Sequence, residues 1–232
     1  MNDHFLGRLS DLVLNPSRLM ENVKENPRWW QPVLLILILL SLFTYFTMPI
    51  AGPEQMEVMR DGKLMSLLSE ADWQEQYDAT LNMSESKRIM QSVIGGVSAA
   101  LMVMVFCFVI GFFARMSGGV GSKSQGMGVG TWAALIPFGI ASLVKLPLIL
   151  MTESVYAVNL GLAALLPESD PTAPLYLVLA TYGDLVTLWG VVVMVIGFQK
   201  VYSMSRNSAA ISVVMPWILL SLIPLGMTLI MT

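Results

Sequence analysis

Two side chains of opposite charge stand out because each lies within a long apolar stretch. Lys145 and Asp184 interrupt runs that otherwise lack Asp, Glu, Lys and Arg. Ionisable groups inside a membrane are costly, and they commonly serve as proton relays, substrate contacts or paired charges. At about 1.5 Å per residue, Lys145 lies roughly 9 Å and Asp184 roughly 14 Å from the outer ends of their predicted helices. A long lysine side chain can bridge that offset.

The same two residues also have structural interpretations. Lys145 can extend its ammonium group to the outer headgroups while its stem stays in the apolar region. Asp184 can accept hydrogen bonds from Thr181, Tyr182 or Thr187. The sequence therefore leaves three interpretations open: a structural ion pair, separate satisfaction of each charge, and a path for protons or substrate.

The glycine-rich segment from Gly118 to Gly130 invites comparison with a phosphate-binding loop. A Walker loop needs Gly directly before its Lys and a strand leading into it. Here Ser122 precedes Lys123, and an apolar span precedes the segment. We therefore predict no nucleotide site and interpret the segment as a turn with a re-entrant or surface-bound stretch.

Other residues with reactive or metal-binding side chains are isolated in the sequence. His4 has no companion His or Cys that could ligate a metal or activate a nucleophile. Cys107, which lies in an apolar run, is the single cysteine. With no second cysteine, the chain can form neither an intrachain disulfide nor a metal site of several cysteines. The 18 methionines are dispersed rather than clustered as copper ligands. We predict no catalytic residue, no cofactor and no metal, and hence no enzyme.

The elements that must position Lys145 and Asp184 are membrane-spanning helices. Hydrophobic residues make up 55% of the 232 residues and charged residues 12%, whereas soluble domains have about 25% charged residues. A helical span needs about 20 apolar residues. We predict an all-α, polytopic integral membrane bundle with five transmembrane helices in a domain of residues 31–232. The predicted spans are about 32–50, 89–114, 130–151, 175–198 and 209–231.

The N-terminal segment, residues 1–30, has helical apolar spacing and is predicted to be a cytoplasmic amphipathic segment on the membrane surface. Asn15 and Pro16 have the residue types of a helix N-cap and a first helical position. One edge of the segment is suited to contact the membrane, a partner helix or the protein's own spans. The residues of this edge are Phe5, Leu9, Leu12, Val13, Trp29 and Trp30.

A face of small residues lies on the second predicted span. Ser92, Gly96 and Ala100 repeat every four residues, so that another helix backbone can approach closely. We predict internal helix packing at this face, with a homodimer seam as the alternative.

Positive charge is divided unevenly between the two sides of the predicted bundle. With the N-terminus inside, eight Lys and Arg fall on the cytoplasmic side and four in the exterior segment 51–88. The positive-inside rule therefore predicts a cytoplasmic N-terminus and an exterior C-terminus. The cytoplasmic set is Arg8, Arg18, Lys24, Arg28, Arg115, Lys123, Lys200 and Arg206.

The exterior segment 51–88 has helical spacing of apolar residues in two places. Ser69 with Asp72 predicts an N-cap for the second helix. We expect both helices to cover the outer face of the bundle. The two apolar sets are Met56, Met59, Leu64, Leu67 and Leu68, and then Trp73, Tyr77 and Leu81.

Three segments resemble the Yip (Ypt-interacting protein) domain family. They are Leu14–Pro27 before the first span, the glycine loop Gly118–Ser122, and Gly197–Ala210 between the last two spans. The resemblance implies a five-span helical fold with a cytoplasmic N-terminus. Eukaryotic members are associated with small prenylated GTPases through a longer N-terminal region with an Asp-Leu-Tyr-Gly-Pro-like motif, which this sequence lacks.

The short N-terminal region is similar to that of bacterial members, which look like accessory inner-membrane proteins, some associated with ABC exporters. The resemblance thus implies a bacterial inner membrane, a periplasmic C-terminus, and a non-enzymatic accessory protein that binds membrane lipids and another membrane protein. The alternative is a small transporter or lipid-handling protein that uses Lys145 and Asp184, because broken helices line many substrate paths. The thirteen Lys and Arg form no basic stripe, so we predict no nucleic-acid partner.

Overall fold

The regular elements of the protein are helices. The structure is a computed structural model that describes residues 4–60, 69–166 and 173–231, and the predicted apolar positions Leu64, Leu67 and Leu68 lie outside these ranges. In the described ranges the helices are α1 (Phe5–Leu14), α2 (Pro16–Glu25), α3 (Trp30–Met59), α4 (Glu70–Leu81), α5 (Glu85–Met116), α6 (Lys123–Leu135), a π-helical turn (Ile136–Ile140), α7 (Ala141–Thr152), a 3-10 turn (Leu162–Leu165), α8 (Pro174–Tyr182), α9 (Leu185–Val201) and α10 (Arg206–Met231).

Three helices among the described residues are long and apolar enough to cross a membrane: Trp30–Val58, Glu85–Met116 and Lys123–Thr152. The third runs through α6, the π-helical turn and α7. On α3 an apolar stripe at four-residue spacing is about half exposed, as expected for a helix that faces lipid. The stripe is Leu34, Ile38, Leu42 and Phe46. The fourth and fifth spans, which correspond to α8 with α9 and to α10, stay a prediction.

Helices α3 and α6 exceed the predicted spans the most. Helix α3 continues past Ile50 to Met59, into the segment 51–88, where the spacing of Met56 and Met59 predicts a separate exterior helix. Helix α6 begins at Lys123 instead of Gly130, so our interpretation of the glycine-rich segment as a turn was wrong for most of its length. Ser122 caps α6, since its hydroxyl accepts from the Gln125 N–H at 3.2 Å and the Gln125 side chain accepts from the Ser122 N–H at 2.8 Å. This reciprocal cap and tertiary packing offset the helix cost of about 1 kcal/mol for each glycine.

The α6 glycines allow two other elements to approach its backbone. A Cβ on Gly128 would lie 2.9 Å from the Val23 side chain of α2, and a Cβ on Gly130 would lie 2.6 Å from Cys107 Cβ of α5. The fully buried ring of Trp132 lies on the same helix. The main core is therefore centred on α6, with α2, α5 and α9 around it.

The predicted face of small residues packs against α3 of the same chain. Ser92, Gly96 and Ala100 are all buried. A Cβ on Gly96 would lie 2.9 Å from the Leu37 carbonyl oxygen and 3.1 Å from the Ser41 nitrogen. The structure thus places this face inside the protein, where it joins α3 to α5.

We expect Gly96→Ala to lower the free energy of unfolding by about 1–3 kcal/mol, because the α3 backbone cannot move aside as a side chain can. Gly95→Ala is the matched control, since its Cβ would lie 3.9 Å from the Thr44 methyl group, an ordinary contact. The control should be neutral or stabilise by about 0.4–1 kcal/mol. Thermal unfolding in detergent measures both. An equal change in the free energy of unfolding for Gly96→Ala and Gly95→Ala would contradict the α3–α5 contact.

Candidate functional site

The Lys145 and Asp184 side chains lie in direct contact. Lys145 Nζ is 2.7 Å from Asp184 Oδ2, and the side chains are 26% and 1% exposed respectively. The other carboxylate oxygen accepts from the N–H groups of Val186 at 2.8 Å and Thr187 at 3.1 Å. One carboxylate therefore acts both as the N-cap of α9 and as the partner of a cation on α7. Negative charge at a helix N-terminus is favoured by the helix dipole.

The fourth predicted span is broken at this carboxylate. Helix α8 ends before Gly183 and α9 begins after Asp184, and a segment of the connection between α7 and α8 lies against the break. The Leu162 N–H donates to the Gly183 carbonyl at 3.1 Å. A Cβ on Gly161 would lie 2.6 Å from Asp184 Cα, so the close approach requires glycine. The Gly183 carbonyl and the Leu185 N–H at the break are thus bonded to backbone groups of this segment, as buried backbone requires.

The segment over the break is itself tied to the C-terminal part of α3. Glu54 accepts from the Ser154 hydroxyl and, at 2.6 Å, from the Val155 N–H. The Tyr176 hydroxyl on α8 donates to the Tyr156 carbonyl at 3.3 Å. Burial and the nearby Glu54 charge raise the pKa of the Tyr156 phenol. The segment that lies against Asp184 is thus held to α3 through Glu54, a role that the sequence did not predict.

At the opposite end of the bundle, Tyr202 from the connection between α9 and α10 occupies a slot lined by glycines. Its hydroxyl donates to the Ser122 carbonyl at 2.9 Å, and its own carbonyl accepts from the Val120 N–H at 3.0 Å. A Cβ on Gly119 would lie 2.7 Å from the ring. Burial raises the pKa of the Tyr202 phenol although the Arg115 charge lowers it, so the phenol stays protonated and donates.

Helices α1 and α2, which we call the N-terminal platform, pack against this same end. The fully buried Met20 contacts α9 where a Cβ on Gly197 would lie 2.9 Å from the Met20 sulfur. The Gln125 side chain donates to the Lys24 carbonyl at 2.7 Å. Asn15 caps α2 by accepting from the Arg18 N–H at 3.3 Å, as the sequence predicts. The platform is therefore held by both apolar and polar contacts.

The three segments that carry the family resemblance converge here. Leu14–Pro27 contains α2, Gly118–Ser122 forms the slot, and Gly197–Ala210 carries the tyrosine that fills it. The sequence model of the Yip1 domain family matches residues 10–227. The chain belongs to the Yip1 domain family. The predicted resemblance is confirmed, and the protein is a Yip1 family membrane protein. No curated protein and no solved structure matches significantly.

The Yip1 match includes both candidate sites. Lys145, Asp184 and Tyr202 lie between residues 10 and 227, whereas Phe5 and Leu9 precede the match. The ion pair and the tyrosine slot are therefore parts of the Yip1 domain.

The predicted apolar edge of the platform faces mostly inward in this Yip1 protein. Leu12 is fully buried, and Phe5 and Leu9 pack against the core. The Phe5 and Trp132 ring centroids are 6.1 Å apart. The chain itself covers these three positions, so they cannot serve as an exposed partner edge.

The exposed apolar residues of the platform lie on the other side of α1. Val13, from the predicted edge, is about half exposed, and Leu6 and Leu14 are more exposed. Of the two tryptophans, Trp29 is half-buried and Trp30 is about half exposed. An outward apolar surface therefore exists, and it contains Val13 of the predicted edge together with Leu6 and Leu14, which the predicted edge did not include.

Arg8 is a buried charge that sequence reasoning missed. We counted it only among the cytoplasmic basic residues, yet its side chain is fully buried. Its guanidinium donates to the Asn26 carbonyl at 2.8 Å and lies 6.0 Å from the Trp132 ring. The carbonyls at the end of a helix need donors, and Arg8 supplies one just beyond α2. No pattern in α1 alone signals this contact, because the acceptor lies on another helix.

Proposed function

We propose that this protein is a non-enzymatic accessory or organising protein that binds another membrane protein through its N-terminal platform. Yip1 family proteins are membrane accessory proteins and are not known enzymes. The observation that carries the proposal is a platform fixed to the bundle by buried side chains while Leu6, Val13 and Leu14 stay exposed. Their spacing of seven and eight residues puts them on one face of α1. A fixed helix face binds without the cost of ordering a segment.

The proposed setting is a bacterial inner membrane crossed five times, with a cytoplasmic N-terminus and a periplasmic C-terminus. Contacts between segments of the predicted cytoplasmic set support this orientation. Lys200 Nζ lies 3.2 Å from Glu21 Oε1, and Gln125 bonds the Lys24 carbonyl. Basic residues of three segments thus gather at one end, as the positive-inside rule requires of a cytoplasmic side. Components of an ABC exporter are the partner class that the family resemblance implies, and a second copy of the chain is the alternative.

Charged substitutions on the exposed platform face should abolish partner binding while the bundle stays folded. Leu6 and Leu14 are 76% and 80% exposed, so Leu6→Glu with Leu14→Glu removes apolar contact without opening the core. We expect recovery of the partner in mild detergent to fall by about tenfold or more, because a hot-spot loss exceeds about 1.4 kcal/mol. Val120→Glu is the matched control, since Val120 is 80% exposed at the same end but outside the platform. Quantitative mass spectrometry of co-purified membrane proteins measures the ratio.

Unchanged partner recovery in the double variant would contradict docking through the platform.

The second candidate function is transport of a lipid or ion, which the broken helix around the Lys145–Asp184 pair favours. Protein reconstituted alone in liposomes decides between the two functions. If it moves a lipid or ion and Asp184→Asn stops that movement, the accessory proposal is wrong.

A further inference from the structure

A small cleft of about 40 Å³ opens between α5 and α6 at the platform end of the bundle. Phe108, Phe112 and Met127 form its apolar wall. Arg115 and Lys123 lie at its edge with Tyr202. The cleft therefore combines an apolar interior with two cations and a buried phenol.

The apolar wall continues along the outer surface of α5. Leu101, Val105, Phe108 and Phe112 are about half exposed or more, and their spacing of four, three and four residues places them on one helix face. From Leu101 to Arg115 this stripe is roughly 20 Å long at about 1.5 Å per residue. Half of a bilayer core is about 15 Å, so the stripe is long enough to accompany one acyl chain.

The two cations at the cleft differ from Lys200 and Lys145, each of which is paired with an acidic side chain. Lys200 pairs with Glu21, and Lys145 pairs with Asp184. For Arg115 and Lys123, no acidic side chain within 4 Å is found in the described part of the chain. Both are exposed, and Lys123 is the first residue of α6, where the helix dipole adds positive potential. Their charge is therefore open to an external anion.

We infer that this cleft binds an anionic phospholipid, with Arg115 and Lys123 contacting the headgroup phosphate and one acyl chain lying along the α5 stripe. Basic pockets between membrane helices on one side of a bilayer bind lipid headgroups in this manner. The charges of Arg115 and Lys123 favour an anionic headgroup over a neutral one. The apolar stripe on α5 favours a lipid over free phosphate. This inference goes beyond the proposed partner binding and does not depend on it.

Native mass spectrometry of the full-length protein in detergent, titrated with phosphatidylglycerol, tests the inference. Replacing one cation with Gln should weaken binding about fivefold, and Arg115→Gln with Lys123→Gln about thirtyfold, from about 1 kcal/mol for each charge. The matched control is Lys24→Gln with Arg206→Gln. Both residues are exposed and lie in the same predicted cytoplasmic set, but they do not line the cleft. The control should bind phosphatidylglycerol like the unaltered protein.

Two further titrations separate the sources of the phosphate group. Phosphatidylcholine should bind more weakly than phosphatidylglycerol, and inorganic phosphate at millimolar concentration should displace little bound lipid. Higher salt should weaken the binding, because exposed charges are screened. Equal binding by the Arg115 and Lys123 double variant, or equal binding of the two lipids, would overturn the inference. Displacement by inorganic phosphate alone would show a phosphate site without a lipid.

Discussion

Replacing Lys145 with Met should lower the free energy of unfolding by about 3–5 kcal/mol, because it leaves a buried carboxylate without its cation. Asp184 is 1% exposed and Lys145 is 26% exposed. The stranded group is thus the one that water cannot reach. Asp184 Oδ1 is already used by the α9 cap, so only Oδ2 faces the lost charge.

Asp184→Asn should cost less than Lys145→Met. Asn keeps the N-cap of α9, since its side-chain oxygen accepts from the same N–H groups. The remaining lysine is partly exposed and can extend toward the headgroups. Both single variants therefore keep the α9 cap, and the difference between them shows which of the two charges is more costly to leave unpaired.

The double variant Lys145→Met with Asp184→Asn should lie within about 1 kcal/mol of the unaltered protein, because no unpaired charge is left inside. Thermal and denaturant unfolding in detergent of the four proteins gives the coupling energy directly. Losses that add in the double variant would show that the two side chains do not interact. A Lys145 variant as stable as the unaltered protein would show that the carboxylate does not depend on the ammonium.

Replacing Tyr202 with Ala should also lower the free energy of unfolding by about 3–5 kcal/mol, the usual cost of removing a buried aromatic ring. The ring joins the α5–α6 connection to the α9–α10 connection, and the slot glycines carry no side chain that could fill the space. Tyr202→Phe should cost only about 1 kcal/mol, because it removes one hydrogen bond to the Ser122 carbonyl and keeps the ring.

The comparison of these two Tyr202 variants in thermal unfolding distinguishes ring packing from hydrogen bonding. Equal losses would mean that the hydroxyl, and not the ring, joins the two connections. Limited proteolysis at the connection between α5 and α6 gives a second readout, and cleavage there should rise in the Ala variant only. An Ala variant with unchanged unfolding would contradict the slot itself.

Local sequence rules predicted the parts of the fold that depend on neighbouring residues. The caps at Asn15 and Ser69 follow from side chains that accept from N–H groups three residues later, and both form. The face of Ser92 and Gly96 follows from helical periodicity and the small volume of its side chains. The proximity of Lys145 and Asp184 was inferred from opposite sign and similar depth, and the structure places them 2.7 Å apart.

Features that depend on residues distant in the sequence could not be predicted from local sequence rules. The helical character of the segment after Ser122 comes from contacts of Gly128 and Gly130 with α2 and α5, whereas local propensity favours a turn. Arg8 is buried because a carbonyl beyond α2 needs a donor. The break before α9 depends on Gly161, whose approach replaces the lost helical hydrogen bonds. Each of these contacts joins segments that no periodicity connects.

The ion pair has a consequence for how the chain enters the membrane during synthesis. Lys145 emerges from the ribosome before Asp184, so α7 is made while its counter-ion is still absent. A lysine within an inserting helix is unfavourable, by up to about 2.5–3.5 kcal/mol at the helix centre, which disfavours release of that helix alone into lipid. We expect the third span to wait at the insertion machinery until the carboxylate arrives. The predicted fourth span would then enter together with the third as a neutral hairpin.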